Sequence, residues 1–205
     1  MTVLAAFGFA ASGAVLARRA SRRLGASPEE ARAALPGDDL LPDAQVQNDR
    51  ACTVQAPPAA VWLWIAQLGQ DKAGFYSFEG LENLAGCHIT GATRIHPEWQ
   101  STAPGDAFRL HPDVALRVAL VQPGVCLVAT SRGGDAPGEM NFDTTWAFHL
   151  APVVDPSGQP STRLHLRERY ETRDAQSRWM IEVTSLVSAV MTWRMLSRIK
   201  ELTRA

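Results

Sequence analysis

The chain has 205 residues, 46% of them hydrophobic and 20% charged, enough apolar material for a packed domain and too little charge for wholesale disorder. With 20 Lys+Arg against 21 Asp+Glu the formal net charge is -1, so the basic excess of a nucleic-acid binder is missing. The apolar residues do not form the series of long runs that a polytopic transporter needs.

Residues 3–17 read VLAAFGFAASGAVLA and carry no charge; Arg18, Arg19, Arg22 and Arg23 follow. Counted from Met1, the helix would run about 25 Å, slightly short of the ~30 Å hydrocarbon core. A secretory signal puts its basic residues before the apolar run, and here they come after it. Residues 1–24 therefore read as an apolar helix and candidate membrane anchor. The positive-inside rule then puts the following domain at the cytoplasmic face of the inner membrane. The competing readings are a short interfacial or packing helix and a misassigned start codon. Three widely spaced cysteines, Cys52, Cys87 and Cys126, suggest no disulfide framework and fit a reducing compartment. Cys87-His88 has no second pair at metal-binding spacing, so no metal site is expected.

Ser27-Pro28-Glu29-Glu30 is a helix start, with Ser as N-cap and Pro in the first turn. Pro36-Gly37 ends it, and residues 25–45 read as a linker. The folded domain is expected over residues 46–205. A short β-prone run at 49–55 stops at Pro57-Pro58. The helix after it carries Val61, Trp64, Ile65 and Leu68 at i, i+3, i+4, i+7. A second short helix is expected over 79–85. Strands are expected at 107–110, 115–121, 125–131, 142–150 and 162–172, separated by Pro- and Gly-bearing turns. The last of these puts Leu164, Leu166, Glu168 and Tyr170 on one face and Arg163, His165, Arg167 and Arg169 on the other. The basic row is expected to face solvent. A long helix over 175–203 closes the chain, with a stripe of Trp179, Val183, Leu186, Val190 and Trp193 widened by Met180, Val187 and Met191. Glu182 and Arg194 interrupt it, which argues against a membrane span. A helix so broadly apolar is expected to be covered over much of its circumference, as by a curved sheet.

The segment CTVQAPPAAVWLWIAQLGQ resembles the opening of START-like (SRPBCC) domains, the superfamily of polyketide cyclases and lipid-transfer proteins. The stretch GFYSFEGLENLAGCHITGATRIHPEWQSTAPGD is similar to an uncharacterised bacterial subgroup of it, and the resemblance covers residues 47–202. It implies an α+β helix-grip fold: a curved antiparallel sheet around a long C-terminal helix. It also implies an apolar cavity between sheet and helix. Fold alone does not choose a function among the ligands such cavities take.

If the Leu164–Tyr170 face lines that cavity, Glu168 sits among apolar groups, where desolvation would make it an acid or base. The competing reading is a carboxylate that reaches water or pairs with an arginine. Tyr170 is the second candidate in an enzymatic reading. Trp146, Thr144 and Phe148 share a strand face and are expected to line the pocket, with Met180, Val187 and Met191 as the opposite wall. Tyr76 and Trp99 are candidates near its mouth. Glu82 and Asn83 are expected to fix a loop, and Arg94, His96 and Glu98 to cluster at an entrance. His149, opposite Trp146, is expected to be exposed. No phosphate loop, nucleophile elbow or dinucleotide fingerprint occurs, and no cofactor is expected. Three functions remain open: binding or carrying a small hydrophobic, lipid-like ligand at a membrane face; a polyketide cyclase- or dehydratase-like enzyme; and a structural or interaction domain whose cavity is filled. No nucleic-acid partner is expected.

Overall fold

The computed structural model describes residues 22–84, 86–133 and 141–204. The apolar run expected as an anchor therefore lies outside the described residues. Among the described residues no helix is long and apolar enough to cross a membrane.

The sheet is built from β1 (Val46–Val54), β2 (Ala107–His111), β3 (Val114–Gln122), β4 (Cys126–Thr130), β5 (Phe142–Val154) and β6 (Pro160–Thr172). The strands are antiparallel throughout, in the order β1-β6-β5-β4-β3-β2. Register irregularities at Arg109–His111 and Val118–Leu120 mark the bulges that bend such a sheet. Among the described residues four α-helices accompany it: α1 (Pro28–Arg32), α2 (Pro58–Ala66), α3 (Glu79–Leu84) and α4 (Ala175–Leu202). The result is an α+β helix-grip fold, a curved antiparallel sheet gripping the long C-terminal helix.

The local signals act as their chemistry requires. Ser27 Oγ accepts from the Glu30 amide, and the Glu30 carboxylate accepts from the Ser27 amide, completing a capping box at α1. Pro58 opens α2, and its stripe of Val61, Trp64 and Ile65 is buried, as is Leu68 just past its end. Each such aliphatic side chain contributes roughly 1.5–3 kcal/mol by leaving water. Asp174 caps α4 by accepting from the Ser177 amide at 2.7 Å.

Two expectations about faces are overturned. The basic row of β6 does not face solvent. Residues 25–45, expected as a linker, form a strap across the outer face of the sheet. Arg167 is 1% exposed. Its Nε donates to Asp49 Oδ1 at 2.7 Å and its Nη1 to Asp38 Oδ2 at 2.7 Å. The same guanidinium donates to the carbonyls of Glu30, Ala31 and Ala33, the open C-terminal end of α1. Arg169 holds Asp38 at 3.1 Å and the Leu41 carbonyl at 3.0 Å. Arg163 pairs with Glu30 at 2.6 Å. This row is a set of clasps. Its lid also buries His149, expected to be exposed, beside His165. Gly37, at φ +92°, brings the strap so close that a Cβ there would lie 2.7 Å from Val128 Cγ1.

The long helix is turned the other way round. Its buried positions include Ile181 and the small residues Ser177, Ser185, Ala189 and Thr192, which let it approach the sheet closely. The stripe expected in the core is exposed: Trp179, Val183, Leu186, Val190 and Trp193 lie on the outer side. A helix apolar on nearly every side has no single face that periodicity can assign. Ser185 wins the inner place because β1 presents polar partners to it.

Candidate functional site

A cavity of about 610 Å³ lies between the concave face of the sheet, α3 and α4. That volume falls within the ordinary range of small-molecule sites, about 300–1,000 Å³. The side chains of the core therefore leave a ligand-sized space. The lining is mostly apolar. Its floor is aromatic: Trp146 packs with Phe75, Phe108 and Phe148 at ring-centre distances of 5.5, 5.6 and 5.2 Å. Strand alternation puts Thr144 and Trp146 on this face of β5, and the β5–β6 register sets Trp146 opposite Glu168 and Thr144 opposite Tyr170. From α4, Ile181, Val187, Ser188 and Met191 form the facing wall.

One end of the cavity is a polar network. Glu168 Oε1 is 2.8 Å from Arg50 Nη1 and accepts from Ser188 Oγ at 2.7 Å. Glu168 Oε2 accepts from Asn48 Nδ2 at 3.0 Å and from Tyr170 Oη at 3.4 Å. Asn48 also donates to Ser185 Oγ, and Arg50 Nη2 donates to the Ser185 carbonyl. Arg50 is fully buried. The alternative of a carboxylate paired with an arginine is the one the geometry realises. Burial first, and then the neighbouring Glu168, pushes the Tyr170 phenol well above its usual value, so Tyr170 is a neutral donor. A base with both oxygens engaged and a phenol this hard to ionise make a poor proton-transfer pair. They make a rigid, charge-compensated wall.

The other end carries Glu82, on α3. It is 6% exposed, and its Oε2 has no hydrogen-bond partner. Burial, reinforced by nearby Glu79, pushes its carboxyl up to about 7. Loop fixing falls to Asn83 instead, whose Nδ2 donates to the Ile89 carbonyl and whose Oδ1 accepts from the Ile89 amide. Trp146 Nε1 is likewise buried without a partner.

Of the residues expected at the pocket, Trp146, Thr144, Glu168, Tyr170, Val187 and Met191 line this cavity together. Four others lie elsewhere. Phe148 is fully buried behind Trp146. Tyr76, at φ +54°, is sealed in the core, where its hydroxyl accepts from Gln67 Nε2 and donates to the Trp64 carbonyl. Trp99 stacks on His96 at 4.1 Å, and His96 pairs with Glu98 at 3.0 Å; this cluster is not part of the cavity wall. Met180 projects outward from α4. Glu82, Arg50 and Asn48 were not singled out as lining or network residues. Asn48 and Arg50 share a face of β1, and the register that pairs Asn48 with Glu168 and Arg50 with Leu166 is what brings them to the carboxylate. Glu82 gave no signal beyond its place in an amphipathic turn. Among the described residues no group of three His, Cys, Asp or Glu side chains could hold a metal ion.

No family model matches the chain, and no curated protein matches it. Solved structures of similar arrangement include a protein of Mesorhizobium loti, 18% identical, over 77% of this chain and 96% of that one, with a TM-score of 0.40. A protein of Arthrobacter aurescens is 13% identical over 77% and 86%, TM-score 0.43. An Arabidopsis thaliana member of the major latex protein family is 13% identical over 74% and 94%, TM-score 0.36.

Proposed function

We propose that this chain is a START-like (SRPBCC) domain that binds and carries a small hydrophobic, lipid-like molecule in the cavity between sheet and α4, working at a membrane surface. The observation that carries this reading is the cavity itself: about 610 Å³, aromatic-floored and mostly apolar, with its one polar wall already neutralised by Arg50.

The membrane part rests on continuity. Val187 belongs both to the cavity wall and to the exposed side of α4, where it is 61% exposed. Leu81 likewise lines the cavity and is 55% exposed. From there the apolar surface runs along Val183, Leu186 and Val190 to Trp179 and Trp193, the aromatic type that settles at headgroup level. The occupant we assign to this surface is a lipid bilayer. The uncharged run before Arg18 and Arg19 supports the same side of the membrane, the cytoplasmic one. A cyclase- or dehydratase-like activity built on Glu168 and Tyr170 has less support, since their proton-accepting positions are engaged.

Native mass spectrometry of the full chain, extracted in mild detergent, tests the reading. A discrete added mass that leaves on denaturation is expected. Bare protein under every mild extraction would overturn it.

A further inference from the structure

The cavity holds two carboxyl groups, and the protein treats them oppositely. Glu168 receives Arg50, Asn48, Ser188 and Tyr170. Glu82 is almost as deeply buried, and its Oε2 receives nothing. The second orphan in the same cavity is a donor, Trp146 Nε1. Buried polar groups are nearly always paired, and leaving one unpaired carries its whole desolvation cost. An unpaired acceptor and an unpaired donor on the wall of a ligand-sized apolar cavity are completed by what enters it.

We infer that Glu82 and Trp146 are the recognition points of this cavity, and that they select a neutral hydroxyl-bearing hydrophobe, an alcohol, over a fatty acid or an alkylamine. This rests on the carrier reading given above and names its ligand class. A hydroxyl both donates and accepts, so it can satisfy either orphan, Glu82 as donor or Trp146 as acceptor. A carboxylate cannot donate to Glu82, and two carboxylates in one apolar site cannot both stay ionised. An ammonium brings three donors, and of the lining residues near Glu82, Phe75, Leu81, Leu110 and Val114 accept nothing, which leaves the Ser77 hydroxyl as the main further acceptor, too few for three donors. Arg50, the cation that would suit an acid headgroup, is already committed to Glu168. The high position of the Glu82 carboxyl agrees with a site kept near neutrality.

The test is calorimetric titration of the full chain with 1-octanol, octanoate and octylamine, probes of one chain length and three headgroups. Octanol is expected to bind at least about tenfold more tightly than either ion, the discrimination produced by one unpaired buried polar group. Glu82→Leu is expected to abolish that preference, whereas Glu82→Gln, which keeps a hydrogen-bonding amide, retains much of it. Trp146→Phe, which keeps the ring and removes the donor, is expected to weaken octanol several-fold and octanoate little. Octanoate or octylamine binding as tightly as octanol to the native chain would overturn the inference, as would an unchanged preference in Glu82→Leu. If none of the probes binds and the native mass spectrum is bare, the carrier reading itself fails. If a co-purified mass is found, a molecule without a hydroxyl overturns the inference and leaves the carrier reading standing.

Discussion

Arg50 stands on the strand beside Glu168, behind the cavity wall that Glu168 lines, and their charged atoms meet at 2.8 Å with both side chains out of water. Their isolation from solvent makes the pair asymmetric to mutation. Removing one partner leaves an uncompensated buried charge, which costs about 3–5 kcal/mol. Arg50→Met is expected to lower unfolding free energy by that order in urea denaturation. Combining it with Glu168→Gln is expected to recover part of the loss, giving a clear interaction term in the double-mutant cycle. Additive losses would show that the pair does not act as a unit.

The strap should come off in acid before the sheet unfolds. Hydrogen bonding from Arg163 holds the Glu30 carboxyl down at about 2, against about 4.5 when free. A carboxyl lowered in the folded state stabilises above its unfolded value, and that contribution is lost as pH falls through the folded one. Amide hydrogen exchange over residues 25–45 is expected to accelerate between about pH 4.5 and 2, and Arg163→Gln to show the fast rate already at neutral pH. Gly37→Ala, strained at φ +92° and pressed onto Val128, should loosen the same segment at every pH.

His149 acts in a milder acid window. Burial first, aided by the positive charges of His165 and Arg167, pushes its imidazole down to about 4. The unfolded chain takes up that proton near pH 6.5, so stability falls as pH drops from about 6.5 to 4 and changes little below. His149→Leu is expected to flatten that part of the stability profile, by up to about 2–3 kcal/mol. A profile unchanged by the substitution would remove His149 as its cause.

The exposed stripe of α4 separates stability from docking. Leu186 and Val190 are 47% and 55% exposed, so Leu186→Glu with Val190→Glu should shift stability by only about ±0.5 kcal/mol each. The same pair should slow ligand transfer from phosphatidylglycerol-containing vesicles. It should also reduce the blue shift of tryptophan emission that vesicles cause through Trp179 and Trp193. Unaltered transfer would disconnect this surface from the membrane.

Much of the architecture was legible before any coordinates. The strand alternation that put Thr144 and Trp146 on one face, and Glu168 and Tyr170 on another, needs only local geometry, because side chains alternate along any strand. The capping box at Ser27 and Glu30 is equally local. The partner of Glu168 was not legible. Arg50 stands 118 residues earlier, and only strand pairing brings it across.

The sequence by itself determined which residues form strands and helices and which side chains travel together on a face. Those properties follow from steric preferences and periodicity within a few residues. Tertiary structure alone decided which face meets what. The row Arg163–Arg169 lies under a strap rather than in water because Asp38, Glu30 and Asp49 meet it there. The outer side of α4 keeps its tryptophans because Ser185 and Ala189 pack closer to the sheet. Glu82 becomes a recognition point only when a cavity forms around it. Burial and pairing depend on contacts between segments far apart in the chain, and those contacts exist only in the folded molecule.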